Sequence, residues 1–289
     1  MKSPNFFIVG APKCGTTALY TYLREHPQIF MSPVKEPQYF AEDLRGDRRR
    51  VRTLAEYLEC FAGVRDEEVI GEASTAYLGS ARAAEEIKAF APEARIAIML
   101  RNPVDKMYSR FNDARFHNRE HHKSFAVALA DEERCGPSFG LGYRGSARYA
   151  GQVRRYLEAF GREKVHIILY DDFKERTAAT YADALRFLGV HPDNRTEFPV
   201  VNRRRSLRNM ALQEFVRRPP GVLRRWGRIA LPLRMRQQLR TWFSTVNVIP
   251  APPPPLEEDL RRQLAREFAS EVRELGQLIG RDLSKWLEK

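Results

Sequence analysis

Asn5-Phe6-Phe7-Ile8-Val9-Gly10-Ala11-Pro12-Lys13-Cys14-Gly15-Thr16-Thr17-Ala18-Leu19 is the stretch whose reading decides the fold. Phe6 to Val9 is a short apolar run of the kind that forms a strand buried on both faces. It breaks at Gly10-Ala11-Pro12 and gives way to an amphipathic segment from Thr16 to His26, which Pro27 stops. Strand, glycine-bearing loop and helix in this order form a phosphate cradle, because loop N–H groups and the first-turn amides of the helix converge on an anion. Lys13 adds a mobile positive charge, and Thr16 and Thr17 add hydroxyl donors.

A nucleotide P-loop ends in Gly-Lys-Ser/Thr, with the hydroxyl on Mg²⁺. Here Lys13 precedes Gly15, which leads directly into Thr16-Thr17, and the strong apolar run Ile96 to Leu100 ends in Arg101 rather than in a metal-holding aspartate. Amides and cations without a metal ligand suit a group carrying less charge than a γ-phosphoryl. A sulfuryl group on a phosphate leaving group is one, and no metal site is expected.

A second anion-binding segment follows downstream, Arg101-Asn102-Pro103-Val104-Asp105-Lys106-Met107-Tyr108-Ser109-Arg110. Pro103 suits the first turn of a helix, Arg101 offers a planar fork of donors, and Ser109 offers a hydroxyl. Pro12 to Thr17 resembles the 5′-phosphosulfate loop of sulfotransferases that use 3′-phosphoadenosine 5′-phosphosulfate (PAPS), and Arg101 to Arg110 resembles their 3′-phosphate segment. The resemblance implies PAPS as co-substrate, released as 3′,5′-ADP, with no metal required. It implies Lys13, Cys14, Gly15, Thr16 and Thr17 at the phosphosulfate, with Lys13 also catalytic, and Arg101 and Ser109 at the 3′-phosphate.

Further segments carry the same resemblance. Ser32 to Phe40 contains Pro33 and Pro37, which forbid a regular helix, so it reads as an ordered loop anchored by Tyr39 and Phe40. It is similar to the Lys-Glu-x-x-Phe-Phe-type element of heparan-sulfate-type sulfotransferases, whose glutamate is the proposed general base, and Glu36 is the matching position. Read alone, Lys35-Glu36 is also a common surface ion pair. Glu72 to Tyr77 resembles the family's Glu-x-Ser-Pro-x-Tyr segment, which implies Glu72 and Tyr77 on the acceptor side; Thr75 stands in place of the proline. Glu72 reads equally as a structural acid. Val201 to Ser206 lies where the family folds a loop over the 3′-phosphate, with Arg203 and Arg204 as candidates. A closing helix from Leu256 to Leu278 and its ending through Trp286 complete the resemblance.

Residues 135–149, rich in glycine and aromatics, read as a mobile loop suited to covering substrate, with Tyr149 as a substrate contact. His117, His121 and His122 sit at a polar helix end and read as surface residues. A histidine stays the rival to Glu36, since cytosolic animal sulfotransferases use a histidine base. Val153, Tyr156, Leu157 and Phe160 read as core, Lys164 to Tyr170 as a strand, and Thr180 to Leu188 as a helix closed by Gly189. Strands alternating with helices define an α/β class, a central parallel sheet flanked by helices in a P-loop-like sulfotransferase fold. Ligands of such sheets lie beyond the carboxyl ends of the strands. That rule puts Gly10 to Thr17, Glu72, Arg101 and Asp171 on one rim.

The 289 residues suit a single domain, 1–289, with an Arg-rich helical insertion or lid at about 203–245. The net charge of +12 is concentrated there: twelve arginines and one acid, Glu214, between Arg203 and Arg240. Such a cationic, aromatic-bearing stretch suits peripheral contact with an anionic membrane through 203–243, an acceptor channel or an acidic polymer; no nucleic-acid reading module accompanies it. Three separated cysteines give no disulfide framework. No apolar run reaches the length of a membrane span, and the chain moves straight into its first strand, so the cytoplasm is the expected location. The expected activity is sulfuryl transfer from PAPS to a hydroxyl or amine of a small-molecule, lipid or glycan acceptor. The alternatives are a P-loop-type kinase and a noncatalytic polyanion- or membrane-binding protein.

Overall fold

In the computed structural model, which describes residues 3–45, 50–117, 119–137, 141–201, 206–207, 248–249 and 253–288, Phe6–Gly10 forms a strand (β1) buried at every position. Its neighbours are Val69–Ala73 (β3) on one side and Arg95–Leu100 (β4) on the other, with Phe6 opposite both Gly71 and Arg95. Ile29–Met31 (β2) and Val165–Leu169 (β5) close the edges. The order is β2-β3-β1-β4-β5 and every pairing is parallel, as the sequence leads one to expect. Phe7, Ile8, Val9, Ile96 and Ile98 are wholly buried in its centre. Burying such a side chain contributes roughly 1.5–3 kcal/mol, which is why this run anchors the fold.

The helices that return the chain to the sheet are Thr16–Arg24 (α1), Glu42–Arg45 (α2), Leu54–Glu59 (α3), Ala83–Phe90 (α4), Pro103–Phe116 (α5), Phe125–Cys135 (α6), Arg144–Ala147 (α7), Ala150–Phe160 (α8), Tyr170–Glu175 (α9) and Thr177–Leu188 (α10). Thr53 starts α3 with a capping box, its hydroxyl accepting from the Glu56 N–H. Gly189 ends α10 in the left-handed conformation expected of it. One expectation needs correction. The closing helix is two helices, Glu258–Glu267 and Ala269–Ile279, broken at Phe268, whose ring is buried.

The chain divides into two units. One comprises Met1–Arg110, Lys123–Val201 and Glu257–Lys289 and contains the entire parallel sheet. The other comprises Phe111–His122 and Asn202–Leu256. In the second, Ser206–Leu207 pairs antiparallel with Val248–Ile249. Most of the Arg-rich stretch, including Arg203 and Arg204, lies outside the described residues. Among those described, no helix is long and apolar enough to cross a membrane.

Candidate active site

Two glycines shape the loop after β1. A Cβ on Gly10 would lie 2.6 Å from Leu78 Cβ and 3.3 Å from the Thr75 carbonyl oxygen, so glycine lets the loop leave the strand against the 74–78 turn. Gly15 caps α1 with φ 91°, where an L side chain is strained, and a Cβ there would press on the Tyr170 ring at 3.1 Å. An α-helix cannot pair its first N–H groups internally, and Gly15 gives them no side-chain cap. The opening of α1 therefore carries donors and the positive end of the helix dipole. The Ala11 N–H donates to the Met99 carbonyl at 2.7 Å, which ties the loop to β4. Lys13, half-buried with φ 69°, stands in the middle of the loop.

The second segment meets this loop through one ring. Tyr170 lies against the Gly15 position, and the Arg101 guanidinium lies 4.8 Å from the centre of the same ring. Behind them is a buried cluster. The Tyr149 hydroxyl lies 4.0 Å from Cys14 Sγ. Lys106 Nζ, wholly buried, sits 5.8 Å from the Tyr149 ring centre and donates to the Ser146 carbonyl and hydroxyl at 2.5 and 2.6 Å. Burial, with help from Arg110, pushes the Lys106 ammonium well below the usual lysine range. Burial raises the Cys14 thiol to about 11, against the pull of Lys106 and Arg101, so Cys14 is a neutral packing group. The sequence reading passed over Lys106, because nothing in an isolated lysine marks it as buried.

Asn102 finishes this corner. Its Oδ1 accepts from the Val104 and Asp105 N–H groups at 2.9 and 3.3 Å, starting α5, and its Nδ2 donates to the Trp286 carbonyl at 2.8 Å. Trp286 Nε1 donates to Asp171 Oδ2 at 2.9 Å. The C-terminal segment is thus tied to the ends of both β4 and β5. Ser109 lies half-buried farther along α5.

Glu36 reaches the same rim through Thr75. Its carboxylate accepts from the Thr75 N–H at 3.1 Å, from the Thr75 hydroxyl at 2.9 and 3.1 Å, and from Gln38 Nε2 at 3.2 Å. Lys35 Nζ lies 3.6 Å away, and 23% of the Glu36 side chain stays exposed. Since the Thr75 carbonyl packs against Gly10, the acid stands beside the beginning of the loop that follows β1. Phe40, edge-on to Tyr57 and Tyr77, anchors the arm as its aromatic residues led one to expect.

Three residues expected at the substrate are inside the protein. Glu72, Tyr77 and Tyr149 are each fully buried. Glu72 accepts from the Tyr57, Tyr77 and Ser74 hydroxyls at 2.8, 2.8 and 2.7 Å, which uses its oxygens on the protein itself. Burial raises its carboxyl to about 7, while those hydroxyls pull it the other way. Where they are described, residues 135–149 are not wholly loop: Arg144–Ala147 is helical, and Tyr143 and Tyr149 are buried. In the second unit, His117 Nδ1 lies 2.9 Å from the Asp113 carbonyl and His122 Nδ1 lies 2.6 Å from Glu120.

A parallel sheet whose central strand opens into a glycine-shaped loop and a helix N-terminus, with an arginine at the next strand end, defines an α/β protein. The sulfotransferase domain family model matches residues 3–218, and the chain belongs to that family. Carbohydrate sulfotransferase 15 of Rattus norvegicus is 26% identical over 266 residues, covering 70% of this chain and 47% of that protein. Bifunctional heparan sulfate N-deacetylase/N-sulfotransferase 3 of Homo sapiens is 28% identical over 201 residues, covering 65% of this chain and 22% of that protein. The chain thus spans half the length or less of these curated relatives. A sulfotransferase crystal structure from Alicyclobacillus acidocaldarius superposes with a TM-score of 0.75 at 32% identity, over 99% of both chains.

Proposed function

We propose that the protein transfers the sulfuryl group of PAPS to a glycan acceptor, with Glu36 as general base. The observation that carries this is the junction at Tyr170, one ring touching both the Gly15 cap and the Arg101 guanidinium. Two anion-binding segments so joined suit one ligand carrying phosphate at both ends, as PAPS does. The names of the relatives, a carbohydrate sulfotransferase and a heparan sulfate N-sulfotransferase, support a glycan acceptor.

In this reading Glu36 takes the proton of the acceptor hydroxyl or amine while that atom bonds to sulfur. The bond from sulfur to the 5′-phosphate oxygen breaks, and 3′,5′-ADP leaves. Lys13 and the opening amides of α1 meet the charge that builds on the departing phosphate, and Arg101 and Ser109 hold the 3′-phosphate. Positioning and charge stabilisation supply most of the rate. The Thr75 and Gln38 hydrogen bonds hold the Glu36 carboxylate in place on the rim.

Thermal shift separates the readings: stabilisation by 3′,5′-ADP without metal supports the transferase, and preference for ATP with Mg²⁺ supports a kinase. Response to polyanions or anionic vesicles alone supports a noncatalytic binder. Labelled PAPS offered with heparan sulfate, a phenol and a long-chain alcohol then reads acceptor class by mass spectrometry. Glu36→Gln should lower turnover by roughly 10²–10⁴-fold, the range of a general base, with 3′,5′-ADP affinity unchanged. Turnover at the wild-type level in that variant would move the base elsewhere.

A further inference from the structure

We propose that Glu72 is the positioning residue for Glu36, fixing both the arm that carries the acid and the turn that holds its carboxylate. This rests on the reading of Glu36 as the base.

The argument is one of donors and acceptors. A hydroxyl has one hydrogen to donate and two lone pairs to accept with. Glu72 Oε1 takes the hydrogens of both Tyr57 and Tyr77, and its Oε2 takes that of Ser74. Where Glu72 is ionised, the hydrogens of Ser74 and Tyr77 are committed to its carboxylate, and both oxygens face the Glu36 arm as acceptors. The arm meets them with donors: the Gln38 N–H reaches Ser74 Oγ at 3.0 Å, and the Phe40 N–H reaches the Tyr77 oxygen at 3.5 Å. The residue after Ser74 is Thr75, which donates its N–H and hydroxyl to Glu36. Glu72 therefore sets the polarity of two contacts to the arm, and it holds Ser74, the residue before Thr75, in the turn.

Packing supports the same role. Tyr39 stacks on Tyr57 with ring centres 4.8 Å apart, and Phe40 lies edge-on to Tyr57 at 5.3 Å. The rings that bond Glu72 are thus the rings the arm leans on. A carboxylate held at 0% exposure by hydroxyls alone is a costly way to stabilise a core, since apolar groups of similar shape serve as well or better. What it supplies is orientation.

The test compares Glu72→Gln and Ser74→Ala with wild type by hydrogen–deuterium exchange over residues 36–40, 3′,5′-ADP affinity, and PAPS turnover with heparan sulfate as acceptor. Glu72→Gln preserves shape but places a donor where an acceptor stood. Faster exchange at Gln38 and Phe40 is expected, with turnover falling roughly 10–10²-fold, as a small misplacement of a reacting group does. Nucleotide affinity should stay within about twofold. In a Glu36→Gln background, Glu72→Gln should cost no further turnover. Unchanged exchange and turnover overturn the proposal, and so does an equal further loss in the Glu36→Gln background. If Glu72→Gln does not fold, Ser74→Ala carries the decision: faster exchange at Gln38 with lower turnover supports the role, and wild-type values for both overturn it. Failure of wild type to bind 3′,5′-ADP would remove the sulfotransferase reading, while the exchange measurement would still decide whether Glu72 holds the arm.

Discussion

Thr75 stands where the resembling pattern has proline, and a proline offers Glu36 neither an N–H nor a hydroxyl. This chain supplies both, at 3.1 and 2.9 Å. A hydrogen bond to a charged group is worth about 1.5–3 kcal/mol. Thr75→Val keeps the N–H and loses the hydroxyl, so turnover should drop by roughly tenfold or more, with Thr75→Ser restoring most of it. Steady-state assays with PAPS check this, and equal turnover in the valine variant would detach Thr75 from the reaction. The departure from the pattern was legible in the sequence, but its consequence was not, because Thr75 meets Glu36 only after the chain has folded. Glu72 was harder still. A glutamate is ordinarily exposed, and nothing local announces that Tyr57, Tyr77 and Ser74 will surround it.

Strand, loop and helix from Phe6 to Arg24 were readable directly, since a buried apolar run, a glycine break and an amphipathic segment each leave a distinct pattern. The three residues of β2 were not, because no period can show itself over so short a span. The glycine- and aromatic-rich segment before α8 misled for a different reason: composition marks a loop but does not say which way a ring points. Tyr149 points inward, between Cys14 and Lys106. The helix-capping loop carries its own prediction. Gly15→Ala would force a side chain into a left-handed backbone at φ 91° and against Tyr170 at 3.1 Å. Affinity for 3′,5′-ADP should weaken by at least about tenfold, because the opening of α1 must shift to relieve a strain of roughly 1–2 kcal/mol. Titration calorimetry reads it, and wild-type affinity would mean the loop is not part of the nucleotide site.

Across the whole molecule, the buried Glu72 makes stability depend on pH. Its carboxyl titrates at about 7 in the folded protein, against an ordinary value of 4.5. The folded state therefore holds this proton more tightly than the unfolded chain. The resulting stabilisation is full below the lower value and is lost as pH rises through the higher one. The difference is worth roughly 3 kcal/mol. Urea midpoints from about pH 4 to about pH 8 should show wild type losing stability relative to Glu72→Gln. Lys106, depressed by burial and Arg110, is common to both proteins and cancels. A pH-independent gap between the two would show that Glu72 titrates normally.

The strand order also bears on synthesis. A ribosome delivers β1 first, yet its partners begin at residues 69 and 95, and the Tyr170 ring against Gly15 comes later still. This strand, buried at every position, must wait for the partners that cover its two edges. The nascent chain should for that reason engage holding chaperones early and release them only after β5 has emerged.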